Sequence, residues 1–200
     1  MKYDKINNTR KEIKKMNIKV GISRLHVHFT EDDFKFLFGD QKLTKKNDLT
    51  QKGQFAANET VTIKGPKGEI KNVRIIGPFR NYTQVEISKT DSYALGLNPP
   101  IRTSGDLENA EEITIINNDK SIKRKACIIA NRHIHITKEE QERLGLHDKL
   151  KVKIAGEKSA ILDNVYLKLG KDSVTELHLD TDDANACLLK QQDEVEIVNE

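Results

Sequence analysis

Short runs of alternating apolar and polar residues dominate the chain beyond residue 17. Val61-Thr62-Ile63-Lys64 alternates, meets the turn Gly65-Pro66-Lys67-Gly68, and is answered by Val73-Arg74-Ile75-Ile76. Ile113-Thr114-Ile115-Ile116 stops at Asn117-Asn118-Asp119, and Leu150-Lys151-Val152-Lys153-Ile154 stops at Ala155-Gly156-Glu157. Val165 to Leu169 and Val174 to Leu179 read the same way. Period-two runs with frequent turn signals predict a mainly β protein of small barrels or sandwiches. Two short helices interrupt the strands. Thr30 and Thr137 each stand where an N-cap would, with Asp33 and Glu140 three residues on, and Gly39 and Gly145 where the helices should end.

These two helices belong to an internal repeat. Placing His26 on His133, an offset of 107 residues, brings Ile22 onto Ile129, His28 onto His135, Thr30 onto Thr137 and Asp33 onto Glu140. A second block recurs at an offset near 91, with Val61 to Gly65 on Val152 to Gly156, and Val85-Glu86-Ile87 near Leu177-His178-Leu179. The repeat predicts two similar halves, 18–105 and 106–200, preceded by a polar segment, 1–17, that reads as a tail or an amphipathic targeting helix.

Composition narrows the function classes. The net charge is +3, yet residues 1–20 alone hold seven Lys or Arg against two acidic residues, so the body is close to neutral. That argues against a nucleic-acid-binding face. No run has the apolar length of a membrane span. Two cysteines 60 residues apart make no disulfide framework, and with no secretory signal the expected setting is cytoplasmic.

The chemistry lies in the repeated pairs His26-Val27-His28 and His133-Ile134-His135. Residues i and i+2 of a strand project to one side, so two imidazoles can meet one ion. One such pair is weak evidence; two at the same repeat position, each before a capped helix, are strong. The repeat supplies a third ligand to each: Glu86 in the first half and His178 in the second. Three ligands leave a position open for substrate, and nitrogen-rich ligation suits zinc best among the divalent metals. Arg80, after Gly77-Pro78-Phe79, can grip phosphate or carboxylate; Arg102 and Arg132 are weaker claimants. His147 reads as a loop residue. Cys127 reads as core, and neither cysteine as a nucleophile.

With these residues in view, the chain resembles the PduL-type phosphotransacylases, also called phosphate propanoyltransferases. The likeness runs from about Ile18 to Gln192. It is carried by His26-Val27-His28-Phe29-Thr30, Gly53-Gln54-Phe55-Ala56-Ala57, Gly77-Pro78 through Arg80, Thr83 to Ser88, Ser104-Gly105-Asp106-Leu107, Asn131 to His135, and His178-Leu179-Asp180-Thr181-Asp182. The resemblance implies two β-barrel domains with short capping α-helices and a site between them. It implies two metal ions, usually zinc, on His26, His28, Glu86 and on His133, His135, His178. It also implies phosphate on Arg80, and coenzyme A near Ile18, Lys19, Val20 and Asn185. The implied reaction joins acyl-CoA, propanoyl- or acetyl-, with phosphate to give acyl phosphate and CoA. A homo-oligomer, and a microcompartment setting reached through residues 1–17, are compatible with it. One departure stands out: the second half reads Asn131-Arg132-His133, whereas the first reads Arg24-Leu25-His26, with Leu25 where the family has arginine.

Rival readings are a cupin-like protein or another metal-dependent hydrolase. In the first, Glu31 would have to be a sheet ligand, yet it sits at a helix start. An amidohydrolase barrel needs a larger α/β chain.

Overall fold

A computed structural model describes residues 16–198. The first repeat comprises β1 (Met16–Ser23), β2 (His26–His28), α1 (Glu31–Phe38), β3 (Lys45–Asp48), β4 (Phe55–Lys64), β5 (Glu69–Gly77), β6 (Gln84–Glu86), α2 (Lys89–Leu95), β7 (Ile101–Arg102) and β8 (Glu111–Asn117). The second comprises β9 (Lys120–Ala130), β10 (His133–Ile136), α3 (Lys138–Leu144), β11 (Lys149–Ile154), β12 (Ala160–Leu169), β13 (Glu176–Asp180), α4 (Thr181–Ala186) and β14 (Glu194–Val198). The segment expected as a tail or targeting helix lies outside the described residues, except that Met16 and Asn17 open β1. No helix among the described residues is long and apolar enough to cross a membrane.

The strands form two closed six-stranded barrels of one topology. The first runs β9-β6-β2-β5-β4-β8 and closes by β8 pairing with β9. The second runs β1-β13-β10-β12-β11-β14 and closes by β14 pairing with β1. Neighbour by neighbour the pairings match in sense: β1 is parallel to β13 and antiparallel to β14, as β9 is to β6 and β8.

This corrects the expected boundary between residues 105 and 106. The repeat is real, but each unit lends its first strand to the other barrel. β1 sits among strands of the second repeat, and β9 among those of the first. The cores record the exchange. Ile18 and Val20 of β1 pack with Ile134, Val165 and Leu177. Ile122, Cys127 and Ile129 of β9 pack with Val27, Ile75 and Val85. Ile18 and Val20 are therefore interior side chains of the second barrel. At these two positions, expected near coenzyme A, strand alternation turns both side chains inward.

Both predicted helices form where expected. Thr30 accepts from the Asp33 amide and Thr137 from the Glu140 amide, and Gly39 and Gly145 end the helices with positive φ. The side chain of Glu140 does not return to close a capping box; it accepts from Thr175 and pairs with Arg143. The reciprocal box lies instead at Ser88 and Asp91, ahead of α2. α2 and α4 were not anticipated, although Ser88-x-x-Asp91 and Asp180-x-x-Asp183 carry the same signature.

Candidate active site

The two His-x-His pairs occupy the equivalent strands β2 and β10, and their partners the equivalent strands β6 and β13. Antiparallel pairing sets His26 opposite Glu86 and His133 opposite His178. In each barrel three candidate ligand atoms come within 4.8 Å of one another, so either group could hold a metal ion. All six residues line one cavity of about 820 Å³.

Hydrogen bonding fixes which ring nitrogens are available. Nδ1 of His26 lies 2.8 Å from the Arg24 carbonyl, Nδ1 of His28 3.1 Å from the Ile76 carbonyl, and Nδ1 of His133 2.9 Å from the Asn131 carbonyl. A carbonyl oxygen only accepts, so each Nδ1 carries the proton and each Nε2 presents a lone pair. The Nε2 atoms of His26 and His28 stand 3.1 Å apart, and those of His133 and His135 3.3 Å. Two lone pairs facing at that distance repel unless a cation lies between them. Nitrogens sharing one tetrahedral zinc stand about 3.3 Å apart. The donor set and spacing thus fit a zinc-sized ion in each barrel.

Neighbouring polar groups hold the third ligands. Gln84 donates to Oε1 of Glu86 at 2.6 Å and to the Ser104 hydroxyl at 2.9 Å, while its own oxygen accepts from the Gly105 amide at 2.7 Å. The other oxygen of Glu86 lies 3.6 Å from Nε2 of His26. At the matching place in the second barrel, buried Glu176 holds Nε2 of His178 at 2.8 Å and accepts from Gln192 at 2.9 Å. Carboxylate support of this kind orients a ligating imidazole. Gly21 on β1 makes room for it: a Cβ there would come within 2.8 Å of the Glu176 carboxylate and 2.9 Å of the His178 ring.

Burial, with neighbouring charge, pushes His28, His133 and His135 below the usual imidazole range. Burial, reinforced by Lys168 and His178, pushes His133 down to about 3. Burial, with His178 and His133, pushes His135 down to about 2. Burial alone would raise Glu86, but the adjacent His26 and His28 and the Lys168 charge hold it well below the carboxylate range.

Arg80 lines the same cavity. Its Nη1 donates to the Tyr82 hydroxyl at 2.7 Å and the Ser104 hydroxyl at 3.2 Å, and its guanidinium lies 5.6 Å from the centre of the Tyr82 ring. These neutral partners aim the group without cancelling its charge. The weaker claimants are engaged elsewhere. Arg102 bonds the Glu108 and Ile101 carbonyls. Arg132 forms a two-pronged pair with Asp183 at 2.7 and 2.8 Å. That pair ties the entry of β10 to α4, and it explains the Leu25 departure. In the first barrel Leu25 packs on the apolar core, and Asp91, the counterpart of Asp183, serves the capping box.

Of the remaining expected contacts, Asn185 borders the cavity, whereas Lys19 is exposed and does not. His147 is an exposed loop residue. Cys127 and Cys187 are buried and free, and burial followed by the charges of Glu111 and Asp91 pushes Cys127 up to about 12. Sequence reading missed Gln84, Glu176 and Lys168 as site residues, and missed Arg24 and Arg74, which also border the cavity.

Known proteins bear on this geometry. The family model described as phosphate propanoyltransferase matches residues 19–190. A phosphate propanoyltransferase of Thermotoga maritima is 48% identical over 190 residues, covering 92% of this chain and 90% of its own length. One of Priestia megaterium is 47% identical, covering 88% and 83% respectively. One of Citrobacter freundii is 40% identical, covering 88% and 85%. Coverage of this extent, across both barrels and every strand that carries a site residue, places the chain in the phosphate propanoyltransferase family.

Proposed function

We propose that this protein transfers an acyl group between coenzyme A and inorganic phosphate, with propanoyl-CoA and acetyl-CoA as its acyl donors. The observation that carries this reading is the convergence of two three-ligand groups and an uncompensated arginine on one cavity between two barrels. His26, His28 and Glu86 would hold one zinc ion and His133, His135 and His178 another; bound there, zinc supplies Lewis acidity toward a thioester carbonyl and affinity for a thiolate.

The chain's own residues do the rest. Arg80, held by Tyr82 and Ser104, presents its free guanidinium edge to two phosphate oxygens at once. Gln84 fixes Glu86 and Ser104 together, so the phosphate cradle and the first ligand group move as one unit. Arg24, Arg74 and Lys190 border the cavity with Asn185 and complement the phosphates of coenzyme A. A cavity of this size between rigid barrels can hold both substrates with the attacking oxygen near the carbonyl, where orientation lowers the barrier. Atoms balance simply: a phosphate oxygen bonds the acyl carbon, the carbon–sulfur bond breaks, and the phosphate proton ends on the departing sulfur.

The test is to mix the purified protein, supplied with zinc, with propanoyl-CoA or acetyl-CoA and phosphate, following free thiol and acyl phosphate together. Stoichiometric, phosphate-dependent formation of both is expected. Thiol release that ignores phosphate would show a hydrolase instead.

A further inference from the structure

Lys168 lies on β12, in register with His135 across the parallel pair β10–β12. Its side chain borders the main cavity, and also a smaller pocket of about 230 Å³ shared with Gln51, Lys52 and Ser173. The ammonium is therefore half-buried beside the second ligand group yet open to a small solute. It forms no hydrogen bond or ion pair among the described residues. The carboxylate whose charge it feels is Glu86, which already engages Gln84 and faces His26.

A half-buried lysine with no partner works against the fold. The repeat shows that the barrel does not require it: the register His26–Arg74 and Val27–Ile75, carried one residue on, reaches Ile76 of β5 as the equivalent residue of the first barrel. Lys168 is thus an asymmetry added to a symmetric frame. Arg80, whose hydrogen-bond partners are neutral, comes from the first barrel, whereas Lys168 comes from the second. The two repel, since the charge of Arg80 is felt at Lys168. Two unneutralised cations facing one space from opposite walls are a receptor for a small multivalent anion.

We infer that Lys168 is a binding residue for the transferred phosphate, gripping from the second barrel the same anion that Arg80 grips from the first. The inference rests on the acyltransfer reading above for the identity of the anion. It assigns to Lys168 a fixed charge that holds phosphate dianion and the phosphoryl group of acyl phosphate alike.

The experiment compares wild type, K168M, K168Q and K168R as zinc-loaded proteins. Initial rates are measured against phosphate at saturating acyl-CoA, and against acyl-CoA at saturating phosphate. Inorganic phosphate binding is titrated calorimetrically without acyl-CoA. K168M is expected to raise both the KM and the Kd for phosphate by roughly 10- to 100-fold, the loss expected for one charge-assisted contact. The KM for acyl-CoA should stay within about twofold, and K168R should recover most of the phosphate affinity. Metal content should match wild type and the melting temperature should be no lower; if K168M folds poorly, K168Q carries the comparison. Unchanged phosphate KM and Kd, or a loss falling on acyl-CoA instead, would overturn the assignment. Absence of phosphate-dependent turnover in the wild type would overturn the transferase reading alone, since the phosphate titrations still judge Lys168 directly.

Discussion

Glu86 and His178 are positional equivalents: each is the antiparallel register partner of the first histidine of a pair, His26 in one barrel and His133 in the other. One ligand group therefore carries a negative charge and the other is neutral. A divalent ion would keep a net charge of +1 in the first and +2 in the second. Bound in the second group it would be the stronger electrophile and the better seat for an anionic ligand.

That inequality is measurable. Glu86→Gln and His178→Gln should each remove one ion and leave the other, read by elemental analysis after exhaustive dialysis. Both should lower turnover by roughly 100-fold or more. Loss of both ions from either variant would show a single coupled centre and contradict two separate sites.

The Glu176 carboxylate engages the second group through His178. Glu176→Gln should weaken metal affinity there by roughly 10- to 100-fold while sparing the first centre. Competition against a chromophoric chelator resolves the two affinities, and an equal loss at both would refute the assignment.

Stripped of metal, the protein should lose stability on acidification. His133 and His135 stay neutral when folded, at about 3 and about 2, but take up protons near their ordinary value when unfolded. As pH falls below about 6.5 the unfolded chain binds more protons than the native one, so stability drops down to the folded values. Burial holds His28 low as well, so denaturant titrations of the chelator-treated protein between pH 7 and 4 should show a slope approaching about three protons. A flat profile over that range would mean that these rings protonate in place.

Asp33 supports the first barrel. Burial would raise its pKa, but hydrogen bonds from Arg124 at 2.6 and 3.1 Å and from Thr83 at 2.6 Å hold it below its usual value. Its contribution is present above the unfolded value and disappears as pH falls through the folded one. Because Arg124 is largely solvated, Asp33→Asn should cost only about 1 kcal/mol at neutral pH. The variant and the wild type should converge in acid, as thermal melts at pH 7 and near pH 3 would reveal.

The ligands were legible in the sequence because strand alternation is local: His26 and His28 must share a face whatever surrounds them. Thr30 and Thr137 were legible for the same reason, since a cap acts within one turn. The destination of β1 was not. The pattern of Ile18 and Val20 states that one face is buried, not which barrel buries it, so the halves were drawn as contiguous. Lys168 was hidden similarly, because a lysine in Val165-Tyr166-Leu167-Lys168-Leu169 reads as a solvent-facing strand residue until the barrels are brought together. Gln84 and Glu176 have no signature of their own and acquire meaning only from the side chains they hold.

The exchanged strands determine how this molecule can move and how it must fold. β1 and β9 are stitched by backbone ladders into the barrel that the rest of their own repeat does not form, so the chain crosses between the two bodies at Arg24-Leu25 and again at Asn131-Arg132. Among the described residues every strand ladder stays within one barrel, so any swing of one body against the other must turn on these two short crossings, both of which border the cavity. During synthesis the first barrel can close once β9 has emerged, whereas the second waits for β14 to return to β1 across the whole of the first. The first barrel is thus a contiguous stretch of chain inserted into the second, and the second is the one built on the most distant contacts.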